Sequence, residues 1–439
     1  MGALLRVPAR LVNRQATFSG CPPGDSGPSL RAWTGVCWLV AVLKQSNYTP
    51  IMTKSTRTTF IRFCLQLFSG LLLLLVSSSG KAEDLLDQKL GKLDPDQKTR
   101  WFDIAHLDLE GRGWSQTETF YDRLPRDAKS VVREAVWKLS QDSAGMCVRF
   151  ITEATSLQVR WTLRSETLAM PHMPATGVSG LDLYVKMESG RWHWLAVGRP
   201  TKFPVNSVEL VKDISGGKRQ YLLYLPLYNG VRSVELGLPK DSTLAKAGPW
   251  GPEIRKPIVF YGTSITQGGC ASRPGMVHTA ILGRQLNYPV INWGFSGNGK
   301  MEPEMATLLA ELEPAAYSLD CLPNMTASEV TERVEPFVGT LRKAHPKTPI
   351  LLVEDRSYTD SFLIAFKRQR NLESRAALRA AYERLLAAGT QELYYLPGED
   401  LLGDDGEATV DSSHPTDLGF MRQAGVFLPV LEKMLRAAK

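Results

Sequence analysis

The stretch Val259-Phe260-Tyr261-Gly262-Thr263-Ser264-Ile265-Thr266-Gln267-Gly268 decides the reading of this chain. An apolar run at 257–261 has the length of a buried strand. It stops at Gly262, passes through a Thr-Ser pair and more glycine, and gives way to helical periodicity over 276–286. The Ser264 hydroxyl is thereby placed at the carboxyl end of a strand, the edge at which open α/β sheets bind ligands. Alone, the pattern equally describes a polar turn that caps a helix. The segment Asp411-Ser412-Ser413-His414-Pro415 near the C-terminus shifts the balance. With it the chain supplies a nucleophile, an acid and a histidine, the set that activates a serine.

Working outward, strand-like runs at 257–261, 289–293, 315–320, 349–353 and 392–396 alternate with helical patterns at 276–286, 303–312, 327–344, 361–388 and 416–436. That alternation predicts a parallel sheet covered by helices on both faces, over a domain at 255–439. Residues 83–245 read differently. Short β-type runs at 157–163, 181–187, 192–197, 221–225 and 231–238 are punctuated by Gly and Asn, which predicts an all-β sandwich or jelly roll. Residues 83–100 read as a charged, helix-prone lead-in, and 241–253, with Pro249 and Pro252, as a linker. The sandwich is rich in aromatics: Trp161, Tyr184, Trp192, Trp194, Tyr221, Tyr224 and Tyr228. They form either a sugar-stacking platform or ordinary core.

The 439 residues carry a formal charge of +7, but its distribution argues against nucleic-acid binding. Residues 1–82 hold nine Lys/Arg and one acid, Asp25, which leaves 83–439 at about −1. Segment 52–82 has the layout of a secretory signal. Lys54, Arg57 and Arg62 precede an apolar stretch at 63–76, and small residues follow up to Ala82. The expectation is a secreted or periplasmic protein with a mature N-terminus near Glu83; the segment is a membrane anchor only if it stays uncleaved. Residues 1–51 show no sustained periodicity and read as a non-native or unstructured extension before a start at Met52, with an organelle transit peptide as the alternative. The body keeps Cys147, Cys270 and Cys321, of which Cys270 and Cys321 are either a disulfide pair or two buried thiols.

His414 has the imidazole needed to deprotonate Ser264, and Asp411, three residues earlier, can orient it. Acyl transfer also needs donors for a developing oxyanion, each worth roughly 3 kcal/mol. Two further strand ends offer them: Asn292-Trp293-Gly294-Phe295-Ser296-Gly297-Asn298-Gly299, where a glycine can present its N–H, and Asp320-Cys321-Leu322-Pro323-Asn324-Met325, where Asn324 carries an amide. The structural alternatives are a glycine turn and a helix N-cap.

These blocks, in this order at strand ends, resemble the SGNH (GDSL-type) hydrolases. Ser264 matches the block I nucleophile, Gly297 the block II glycine, Asn324 the block III asparagine, and Asp411 and His414 block V. The resemblance implies a flavodoxin-like doubly wound sheet and a serine esterase, with an oxyanion hole from the N–H groups of Ser264 and Gly297 and the Asn324 amide. Thr263 stands where the family has Asp, and Leu322-Pro323-Asn324-Met325 replaces the usual Gly-x-Asn-Asp. Gly180-Leu181-Asp182-Leu183-Tyr184 resembles the Gly-x-Asp-Leu-Tyr signature of a two-domain branch, for which a turn-and-strand role is expected. His106, His172, His193, His278 and His345 have no ligand spacing, so neither metal nor cofactor is expected. Glu354-Asp355-Arg356 either lines the cleft or forms a local ion pair, and Arg273 either meets an anionic substrate group or is a solvated loop charge. The expected activity is hydrolysis of short acyl esters, acetyl above all, on a small-molecule or glycan substrate. The alternatives are a lipid or thioester acylhydrolase and an inactive carbohydrate-binding surface protein.

Overall fold

A computed structural model describes residues 84–251 and 255–437. The extension at 1–51 and the signal-like segment at 52–82 lie outside the described residues. The chain divides into two units, Met1–Lys81 and Ala82–Lys439, and the described residues belong to the second.

The strands up to residue 246 are β1 (Lys92–Leu93), β2 (Thr99–Asp103), β3 (Leu109–Glu110), β4 (Cys147–Thr152), β5 (Leu157–Leu163), β6 (Leu181–Lys186), β7 (Trp192–Gly198), β8 (Val205–Val211), β9 (Arg219–Tyr224), β10 (Val231–Pro239) and β11 (Ala245–Lys246). They build two antiparallel sheets, β1-β2-β10-β5-β8 and β11-β4-β9-β6-β7, with β3 paired to β4. Strand β5 shows why they face each other. Leu157, Val159, Trp161 and Leu163 are fully buried while the residues between them are half-exposed, the period-two alternation of a sheet with one face in a core. Phe102, Leu183, Leu223 and Leu236 meet them there. Each such aliphatic side chain contributes about 1.5–3 kcal/mol relative to exposure.

Three local expectations give way. The lead-in at 83–100 forms a 3-10 turn (Gln88–Leu90), the edge strand β1 and the start of β2 rather than a helix, because β1 pairs with β2 and β2 with β10. The linker holds β11, which pairs with β4. Within the span read as sandwich, Leu124, Ala128, Val132, Val136 and Trp137 pack into the core beneath the parallel sheet instead.

That sheet comprises β12 (Ile258–Gly262), β13 (Val290–Gly294), β14 (Ala316–Asp320), β15 (Ile350–Val353) and β16 (Leu393–Leu396), in the order β13-β12-β14-β15-β16 and all parallel. The first strand is thus flanked by the second and third, the flavodoxin-like order, whose switch point lies beside β12. Strands β12, β14 and β15 are buried at every position, as cover on both faces demands. One face packs with the helices Pro303–Ala310, Ala327–Ala344 and Ala365–Ala387, the other with His278–Leu286 and Asp417–Ala437. Thr326 caps Ala327–Ala344 in a capping box with Glu329, so Asn324 is not needed as the cap.

The sandwich and the parallel sheet share a core: Tyr184, Leu222 and Tyr224 pack in one cluster with Phe260, Ile281 and Leu282. A polar clamp adds direction to this contact. Asp182, on β6, is fully buried; its Oδ2 accepts from Arg273 Nη1 at 2.9 Å and Gly275 N at 2.8 Å, and its Oδ1 from Trp194 Nε1 at 2.9 Å. Burial raises the Asp182 carboxyl above its ordinary range, against the opposing pull of Arg273 and the Gly275 amide. The Gly-x-Asp-Leu-Tyr segment therefore holds the loop that follows the Ser264 turn. Arg273 is spent on this clamp and stacks over Tyr184 and Trp194, which accounts for it without a substrate. Asp182→Ala would leave the Arg273 guanidinium without its carboxylate, and the Gly275 and Trp194 N–H groups without their acceptor. A loss of about 3–5 kcal/mol is expected in denaturant unfolding; a loss below about 1 kcal/mol would remove the clamp from the account.

Candidate active site

Ser264 opens the short helix Ser264–Gln267, and Thr263 is its N-cap, accepting from Ile265 N through Oγ1 at 3.2 Å. The residue that replaces the family's Asp thus serves the turn itself. The helix closes at Gly268 in a left-handed conformation, φ 115°, which suits a residue without a side chain. The Ser264 hydroxyl meets His414 Nε2 at 2.7 Å, and His414 Nδ1 meets Asp411 Oδ2 at 2.7 Å. The three-residue spacing of Asp411 and His414 is a turn. Asp411 Oδ1 accepts from Ser413 N at 3.0 Å and His414 N at 2.7 Å, Ser412 is left-handed at φ 73°, and Val410 N donates to His414 O at 3.0 Å. Burial acts to raise the Asp411 carboxyl, but the His414 amide and ring and the Ser413 amide outweigh it and hold the group below its ordinary range. It is therefore ionised at neutral pH and fixes Nδ1 as the protonated nitrogen, leaving Nε2 to accept from Ser264.

The candidate oxyanion donors border the same turn. Among the described residues, the amides of Ser264 and Gly297 have no protein acceptor, whereas Ser296 N donates to Gln267 Oε1 and Asn298 N to Phe295 O. Gly297 is exposed, with φ +70°. Asn324 ends a 3-10 turn after β14. The amide orientation that satisfies its surroundings has Oδ1 accepting from Asn298 N at 3.0 Å and Gly299 N at 3.2 Å. That anchors Asn324 to the glycine loop and leaves its NH2 as the free end. The structure thus brings Ser264, His414 and Asp411 into one hydrogen-bonded chain, and Asn324 on to the loop that carries Gly297.

Other sequence candidates resolve as scaffold. Arg356 makes a bidentate pair with Asp320 and also reaches Gln423 Oε1, all buried. Asp355 accepts from Arg370 and Asn371. Local pairing, not cleft lining, describes Glu354-Asp355-Arg356. Cys147, Cys270 and Cys321 are free and buried. Trp161, Tyr184, Tyr221 and Tyr224 are buried core rather than a platform.

Sequence patterns do not assign several residues to the site that the structure places there. Gln267 Nε2 donates to Leu227 O at 3.1 Å and Asp142 Oδ2 at 2.9 Å, so one side chain bridges the serine turn, the glycine loop and the sandwich. Tyr228 OH donates to Ser264 O at 3.0 Å. Arg123, fully buried, donates to the carbonyls of Asn292, Gly294 and Leu139. The His172 ring lies 6.1 Å from the His414 ring, centroid to centroid.

Comparisons with known proteins agree with this arrangement. Residues 255–432 match the GDSL-like Lipase/Acylhydrolase family, and residues 99–244 match GxDLY, the N-terminus of Esterase_SGNH_hydro-type. Among solved structures, the chain is similar to a protein from Bacteroides ovatus ATCC 8483 described as a GDSL-like lipase. The identity is 34%, the match covers 77% of this chain and 98% of that one, and the TM-score is 0.72. It shares its fold with the salicylyl-acyltransferase SsfX3 from a tetracycline biosynthetic pathway, at 19% identity over 81% of this chain and 98% of that one, TM-score 0.61. No curated protein matches.

Two outcomes are expected from this geometry. If the Asn324 amide donates to an oxyanion, Asn324→Ala lowers kcat by roughly 10²–10³ with little change in KM; steady-state kinetics dominated by KM would assign it to substrate binding. Burial, opposed by Arg123, raises the Asp142 carboxyl from 3.8 to about 7. Its folded value lies above its unfolded one, so folding takes up a proton across that window and stability falls as pH rises through it. Asp142→Asn should flatten the pH dependence of Tm between about pH 4 and 7, and an unchanged slope would assign that dependence to other groups.

Proposed function

We propose, for a chain that belongs to the GDSL-like lipase/acylhydrolase family and is a serine esterase of its two-domain SGNH branch, that it cleaves short acyl esters, acetyl above all, from carbohydrate after export. The observation that carries the esterase chemistry is the hydrogen-bonded chain Ser264–His414–Asp411 beside the unpartnered amides of Ser264 and Gly297. His414 Nε2 takes the Ser264 proton as Oγ attacks the ester carbonyl, and Asp411 stabilises the imidazolium that forms. The two amides and the Asn324 NH2 receive the oxyanion. Collapse of the tetrahedral adduct releases the alcohol, which takes the proton back from His414, and water repeats the sequence to free the acid. No step draws on a metal.

Short acyl groups and glycan alcohols are supported by the openness and polarity of the site. The side chains of Asp411 and His414 are 42% and 27% exposed, and Tyr228 and His172 are polar neighbours of Ser264 and His414. Export rests on the signal-like segment at 52–82.

One observation favours a lipid acylhydrolase instead. Phe362, Leu363 and Phe366 are 73%, 75% and 70% exposed, and their segment is tied to the triad loop: Thr359 N donates to Ser412 O at 3.0 Å and Lys367 Nζ to Ser412 Oγ at 2.7 Å. Exposed aromatic clusters of this kind mark contact with apolar partners.

A series of 4-nitrophenyl esters separates the readings. Acetyl esters should be cleaved faster than octanoyl esters, without inhibition by a chelator, and Ser264→Ala should lower kcat by about 10⁴-fold or more with the fold intact. A preference for octanoyl would install the lipid reading, and a Ser264→Ala enzyme of normal rate would end the mechanism.

A further inference from the structure

The sandwich domain sends one side chain to the reacting histidine. His172 stands at the corner of a tight turn in which Met170 and Met173 exchange both backbone hydrogen bonds, N to O at 2.9 and 3.1 Å. The turn is held from both sides. Met173 is buried and Met170 packs against the shared core. The helix that follows, Ala175–Val178, is fastened to the loop after the serine turn: Thr176 Oγ1 donates to Ser272 O at 2.6 Å, and a side chain at Gly177 would come within 2.2 Å of Ala271 O. Its C-terminal end carries Tyr228, whose N donates to Val178 O at 3.1 Å and whose OH reaches Ser264 O at 3.0 Å. The place of His172 beside His414 is therefore set by the packing of its turn. Its own ring, exposed to solvent, makes no hydrogen bond to the protein among the described residues.

His345, by contrast, spends its Nε2 on the carbonyl of Ala310 at 2.9 Å. His172 keeps both ring nitrogens, on a rigid support, 6.1 Å from the ring that must return a proton to the departing alcohol. In the proposed reaction the alcohol oxygen leaves along His414 Nε2, so the rest of the alcohol passes alongside the His414 ring. The ring that neighbours His414 is His172. A neutral imidazole offers one donor and one acceptor, which suits a hydroxyl next to the ester oxygen and is wasted on an aryl or alkyl leaving group.

We propose that His172 is a specificity residue for the leaving alcohol, binding a hydroxyl adjacent to the ester oxygen of a polyol or sugar. This rests on the esterase reading and adds the alcohol side, contributed by the sandwich rather than the hydrolase layer. It also gives the two-domain arrangement a catalytic purpose, since the Asp182 clamp and the Thr176–Ser272 bond align this wall with the triad.

The test uses the full chain and two acetyl esters that differ only in the alcohol: 4-nitrophenyl acetate, and a methyl xyloside monoacetate with a free neighbouring hydroxyl. The readout is the ratio of kcat/KM for the sugar ester to that for the nitrophenyl ester. His172→Ala and His172→Phe should each lower the ratio by about 10- to 100-fold, mainly through KM for the sugar ester, and His172→Asn should recover part of it. Phe fills the ring space without hydrogen bonding, so a ratio restored by Phe would show a packing role and overturn the proposal. Equal losses on both esters would show that His172 acts through His414, and would overturn it as well. A parent enzyme that cleaves the nitrophenyl ester but not the sugar ester refutes the alcohol assignment and spares the esterase reading. Failure on both esters brings down the esterase reading itself.

Discussion

Backbone crowding at the carboxyl ends of three adjacent strands governs this molecule. Parallel register sets Gly262 level with Gly294 on one side and Asp320 on the other. A side chain at 262 would lie 2.6 Å from Asp320 O, one at 294 would lie 2.0 Å from Gln267 N, and one at 299 would lie 2.0 Å from Gly262 O. No Cβ fits at such distances, so the serine turn, the glycine loop and the turn bearing Asn324 press backbone against backbone. Phe295 N donates to Gly262 O at 3.0 Å across this contact. The donors for an oxyanion are placed by main-chain packing, which costs little to reorganise during reaction and is the condition for electrostatic stabilisation.

The His414 side of the site is fixed by other means. Its loop is a small Asp-based turn, and the helix after it is tied to the serine side by Asp417 Oδ1, which accepts from Ser272 N at 2.8 Å. Ser272 also accepts from Thr176 of the sandwich. One loop, 270–277, thus meets the triad helix, the serine turn and the sandwich, with Asp182 buried at its centre. The sandwich is part of the frame of the site, not an appendage.

Much of this was legible in the sequence, and the reasons are specific. The strands β12, β13 and β14 end in Gly or Asp, β15 and β16 are short apolar runs, and β5 alternates with period two, so burial wrote the pattern directly. Ser264 was visible at the end of an apolar strand, and Asp411 and His414 as an acid and an imidazole three residues apart in the loop before the last helix. The first strands were harder: β1 is a two-residue edge strand with both residues exposed, and β2 is a short stretch that includes Thr99, Arg100 and Asp103. Arg123 gave no signal, and nothing set Tyr228 apart from the other sandwich aromatics, His172 from the other scattered histidines, or Gln267 from its neighbours in the serine turn. Each acts as a single side chain delivered from a loop or a turn by tertiary packing, and no periodicity or spacing marks such a residue. Residues 124–137 were read with the wrong core because an amphipathic segment shows that it buries a face but not against which sheet.

The central claim is that Ser264 is the nucleophile made reactive by His414 and Asp411. Labelling with a fluorophosphonate, followed by peptide mass spectrometry, tests it most directly, because the reagent phosphonylates only an activated serine. The account predicts one adduct per chain, on the peptide that contains Ser264, and none in His414→Ala. An adduct on another residue, or no adduct on the folded native protein, would contradict it.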